Sequence, residues 1–81
     1  MQYKIIKWGH PARKYFYGES ANVKVPITEI GRRKDFALKQ ANEWYKLADQ
    51  VEDIDKLAAI WTQAGIWIDQ VNTLNGLLGM K

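Results

Sequence analysis

Residues 53–75, DIDKLAAIWTQAGIWIDQVNTLN, decide how this chain folds. Leu57, Ala64, Val71 and Leu78 recur at intervals of seven, as do Ile60, Trp67 and Leu74, and Trp61 with Ile68 starts a third such row. On an α-helix of about 3.6 residues per turn, rows offset by zero, three and four merge into one broad apolar stripe. A helix resting on a single neighbour needs a narrower one, so this stripe predicts partners on two sides. Asp55, Lys56, Thr62, Gln63, Asp69, Gln70 and Asn72 make the opposite face polar, which suits water and not lipid.

Working outward, the preceding segment carries Ala37, Ala41, Trp44, Ala48 and Val51 at helical spacing, with Leu38, Tyr45 and Leu47 broadening the face. This predicts a second amphipathic helix, whose alanines permit close approach of another backbone. Thr28 is the expected N-cap, with Glu29 beside the positive end of the helix dipole, and Asp35 is a later alternative start because Gly31 weakens the first turn. No Gly or Pro separates the two helices. Asp49 and Glu52 match a capping box, and Asp53 and Asp55 also suit a helix start. A break near residues 48–53 therefore yields an antiparallel hairpin, the reading preferred over one helix of more than forty residues. Asn75-Gly76 and Gly79 are expected to close the second helix.

Before the helices, Gln2–Trp8 alternates in the manner of a strand, Gly9-His10-Pro11-Ala12 reads as a turn, and Arg13–Tyr17 reads as a second strand with Tyr15 and Tyr17 on one face. Glu19-Ser20-Ala21-Asn22 reads as another turn, and Val23–Val25 as a short strand that Pro26 confines to an edge or ends. The expected fold is α+β: a small antiparallel β-meander of two or three strands within residues 2–25, then two amphipathic helices at about 28–48 and 50–75 in a hairpin, the whole forming one domain over 1–81.

A chain of 81 residues without cysteine has no disulfide to support it, and domains of this size bury only about 60% of their unfolded surface. Dense aromatic packing, supplied by four Trp and four Tyr, or self-association must contribute instead. No apolar run has the length of a membrane span or a signal peptide, so a cytoplasmic location is expected. Charge is polarised: residues 1–46 hold ten Lys/Arg against four Asp/Glu, and residues 47–81 hold two against five. Such polarity favours an anionic partner for the first half or attraction between copies.

The residues offer no catalytic constellation. His10 has no companion at metal-ligand spacing, the glycines fit no phosphate loop, and Ser20 lacks a nucleophile elbow. Neither enzyme chemistry, nor a cofactor, nor a metal, nor a small-molecule substrate is expected. Two binding surfaces remain. Arg13, Lys14, Tyr15, Tyr17, Lys24, Arg32, Arg33 and Lys34 combine cations for phosphate with rings for stacking, as nucleic-acid binding requires. Tyr3 to Lys46, strands followed by Phe36-Ala37-Leu38-Lys39-Gln40-Ala41-Asn42-Glu43-Trp44, resembles the three-stranded-sheet-plus-helix arm-binding or AP2-type domains of phage integrases. That resemblance implies a sheet entering the DNA major groove, although the second long helix has no counterpart in the family.

The second surface is the overfull stripe, with Ile60, Trp61, Trp67, Ile68 and Leu74 as expected protein contacts. The favoured expectation is a non-catalytic adaptor or inhibitor, of the kind phages and mobile elements encode, that binds another protein and associates with itself. A nucleic-acid-binding regulator and a structural assembly component are the alternatives.

Overall fold

The computed structural model describes residues 2–17 and 22–79. Two strands, β1 (Tyr3–Lys7) and β2 (Asn22–Pro26), form an antiparallel pair and are followed by the helices α1 (Ile27–Ala48) and α2 (Ile54–Gly79). This is the α+β order expected, a small sheet and then a helical hairpin. The register pairs Lys4 with Val25 and Ile6 with Val23, so the inner face holds the apolar residues of β2 while Tyr3, Ile5, Lys7 and Lys24 face outward.

Arg13–Tyr17 does not form a strand. Pro11–Tyr15 is a 3-10 helix: Gly9 reverses the chain at φ +87°, Pro11 supplies a fixed φ at the first helical position, and His10 Nδ1 accepts the Ala12 N–H at 3.1 Å. The consecutive residues Ala12 and Arg13 are both buried, which a strand with one face in water does not allow. With two strands among the described residues, the architecture also departs from the three-stranded sheet of the integrase domains. Of the expected turn at 19–22, only Asn22 lies among the described residues, and it begins β2.

Pro26 ends β2 and passes directly into α1. The Ile27 N–H donates to the Gln2 carbonyl at 3.0 Å, continuing the ladder one bond past the proline. One of the unsatisfied donors of the helix start is thus met by the sheet. Thr28 is consequently inside the first turn and is not the N-cap; Pro26 holds that position without a side-chain bond, and Asp35 is mid-helix.

The expected break is present, and of the acids that suit a helix start there Asp53 takes the cap. After Ala48, the N–H groups of Asp49, Gln50 and Val51 return to the carbonyls of Tyr45, Leu47 and Ala48. Asp53, not Asp49, starts α2: its carboxylate accepts the Asp55 N–H at 2.9 Å and its carbonyl accepts the Leu57 N–H at 2.8 Å. At the far end α2 runs through Asn75-Gly76 to Gly79. Leu77 and Leu78 pack against the sheet there, and burying such side chains, at about 1.5–3 kcal/mol each, outweighs the roughly 1 kcal/mol helix penalty of a glycine.

The helices meet along matching seams. Residues 27, 30, 34, 37, 41, 44 and 48 of α1 and 57, 60, 64, 67, 71, 74 and 78 of α2 are all buried or half-buried. Ala37, Ala41 and Ala64 are wholly enclosed and bring the backbones together mid-hairpin. Larger residues close the end beneath the sheet, where Ile6, Val23, Val25, Ala12, Ile30, Leu74 and Leu77 make one core bordered by Tyr15, Phe16 and Leu78.

Candidate interaction surface

Each helix of an antiparallel hairpin has two flanks beside its seam, and the residues just after the buried positions 37, 44, 60 and 67 share one of them. These are Leu38 and Tyr45 on α1 and Trp61 and Ile68 on α2; Ile54 extends the α2 row by one interval of seven. Leu38 and Tyr45 are exposed, Ile68 is half-buried, Trp61 is 57% exposed and Ile54 is 80% exposed. Flanking positions ordinarily carry charge. Here they carry an apolar line that continues through Ala58 and Gly65, both exposed. The sheet and the 3-10 helix lie on the other flank, where Arg33 sits 5.4 Å over the Phe16 ring and Leu77 is buried.

The expected contact residues divide accordingly. Ile60 and Leu74, expected as protein contacts, belong instead to the interior of the chain, at 7% and 0% exposure, and present no surface to a partner. Trp67 is half-buried and meets Phe36 edge-on at 5.8 Å, on the flank that carries the sheet. Trp61 and Ile68 stay on the bare flank. Ile54, Leu38 and Tyr45 are surface residues beyond those expected, and their spacing carries the signal: Ile54 shares the row of Trp61 and Ile68, and Leu38 and Tyr45 are themselves seven apart.

The basic and aromatic residues do not assemble into one surface. Arg13 is only 8% exposed and its guanidinium stacks 5.2 Å from the Trp8 ring. Lys14 lies over Tyr15, and Lys24 over Tyr3 at 5.5 Å. Arg32 and Arg33 both pair with Glu29, at 3.5 and 3.2 Å, and Lys34 is half-buried on the hairpin seam. Tyr15 borders the core while Tyr17 is exposed. These residues therefore point in several directions, and part of their charge is met within the chain. The outward sheet face adds exposed Tyr3, Ile5 and Lys7, and Trp8, just past the end of β1, is exposed as well.

Among the described residues, no group of three His, Cys, Asp or Glu side chains is placed to hold a metal ion. His10 acts as a cap. A concavity running from Lys39 to Gln50 is open and lies along the end of α1 and the first residues after it. No described helix is long and apolar enough to cross a membrane. The fold and its bare flank define a small α+β helical-hairpin protein with an uncovered apolar surface. The chain matches no protein-family model, no curated protein and no solved structure.

Proposed function

We propose that this chain is a non-catalytic protein-binding module of adaptor or inhibitor type, working in the cytoplasm through the bare flank of its hairpin. The observation that supports this is the line of Leu38, Tyr45, Ile54, Trp61 and Ile68 at positions where a hairpin of two helices otherwise carries charge. Trp and Tyr at the centre of such a line are the side chains most enriched at interface hot spots. Affinity capture from the native host with wild-type and Trp61→Glu chains, each with and without nuclease, tests it. A protein retained through nuclease treatment and lost with Trp61→Glu is expected. Capture that ignores the substitution, or that nuclease abolishes, overturns it.

One observation favours a second reading. The described residues of the sheet lobe, 2–17 and 22–28, include five Lys/Arg and no acid, with Tyr3 and Trp8 exposed beside them. A nucleic-acid-binding role for this lobe requires affinity that falls steeply with salt and weakens when Lys7 and Lys24 are reversed in charge.

A further inference from the structure

We infer that the bare flank docks a second copy of this chain, antiparallel, with Trp61 of each copy seated over Gly65 of the other. The inference rests on the flank's being a binding surface and names its occupant. Ile54, Ala58, Trp61, Gly65 and Ile68 alternate large and small along one line of α2. A knob four residues from a hole on the same line fits an inverted copy of itself, the self-complementary arrangement of a two-fold dimer with its axis beside residue 63. The same axis sets Ala58 opposite Ile68 of the other copy.

Gly65 has no explanation inside the chain. It stands mid-way in a 26-residue helix, where alanine is the better helix former. A Cβ built there meets nothing within 4 Å, so no packing within the chain requires its absence. Close approach of another backbone, with the Trp61 ring over it, does.

Inverting one hairpin upon the other lays α1 along α1, centred near residue 42, since Ala41 and Ala64 occupy the same level of the hairpin. Asp35 then faces the second copy's Asp49 and Lys39 its Lys46, while Lys39 also comes within about one turn of Asp49 and Lys46 of Asp35, so the charges along α1 form a cluster of both signs that neither favours nor opposes the pairing. Asp55 and Asp69 are like charges at the outer edge of α2, where solvent screening over about 10 Å weakens the repulsion. The face from Ile54 to Asn72 is about 27 Å long and two packed helices are about 20 Å wide, so apposing two faces removes on the order of 1,000 Å² from water, the lower bound for a specific interface. The sheets lie on the outer flanks, at opposite ends, and leave the contact unobstructed.

Light scattering of the full chain at about 100 µM, above the micromolar range of small interfaces, is expected to give twice the 9.4 kDa chain mass. Gly65→Leu has room within the isolated chain and improves helix propensity, so circular dichroism is expected to show an intact helix content while the mass falls to one chain. The chain has no cysteine, so mixing Ala58→Cys with Ile68→Cys is expected to give disulfide-linked heterodimers that neither variant gives alone. A single-chain mass for the wild type, or a dimer that Gly65→Leu leaves intact, overturns the inference. Should the wild type prove monomeric while a foreign protein is still captured in a Trp61-dependent way, the second copy is refuted and the protein-binding reading stands.

Discussion

The two flanks of the hairpin are built from the same two helices and differ in what covers them. On one, Leu77, Leu78 and Arg33 meet the sheet and the 3-10 helix, and the chain completes its own core there. On the other, Trp61 and Ile54 face solvent without a counterpart from residues 2–17 or 22–26. The sheet is too small to wrap two helices: two strands of five residues span one flank at one end. An apolar stripe wider than the available cover leaves surface on the bare flank and also on the covered flank beyond the sheet's reach, where Phe36, Leu47 and Ile66 stay exposed.

Substitutions on either side should separate these roles. Leu74→Ala removes a fully enclosed side chain from the covered core and is expected to cost about 2–5 kcal/mol in urea unfolding. Trp61→Ala, though it removes more atoms, should change the unfolding free energy of the monomer by less than about 1 kcal/mol, because the ring is already mostly in water. A Trp61→Ala loss equal to that of Leu74→Ala would erase the distinction between the flanks.

Adjacent residues on α2 provide a finer comparison. Ala64→Leu overfills the seam against α1 and is expected to destabilise by about 1–3 kcal/mol. Gly65→Leu, one residue on, is expected to stabilise the monomer by up to about 1 kcal/mol, read by chemical denaturation at dilution. The smallest contrast concerns the helix junction. Asp53→Ala removes the observed cap and is expected to cost about 0.5–2 kcal/mol. Asp49→Ala should stay within about 0.5 kcal/mol, and thermal melts that reversed this order would return the cap to Asp49.

The hairpin was legible because apolar residues seven apart mark a seam whatever they pack against. The junction was legible only as a region: Asp49, Glu52, Asp53 and Asp55 all have cap chemistry, and the choice among them depends on how the last carbonyls of α1 are met, by amides as late as Val51. The segment 13–17 misled because its alternation of polar and aromatic residues coexists with Pro11 and a capping His10, and local turn geometry prevailed. Among the surface residues, Ile60 and Ile68 looked alike in the sequence. Their rows differ by one position on the helix, and only the direction of α1 assigns one to the interior and the other to the flank.

The bond from the Ile27 N–H to the Gln2 carbonyl also constrains the order of folding. The helices can find each other across a five-residue link, a contact of low sequence separation that forms early. β1 must instead close on β2 and the start of α1 over roughly twenty residues of chain, so it docks last and is expected to open first. In hydrogen exchange the amides of Ile6 and Ile27 should therefore lose protection together, ahead of those around Ala41 and Ala64, and Ile27 reports on the sheet although it belongs to a helix.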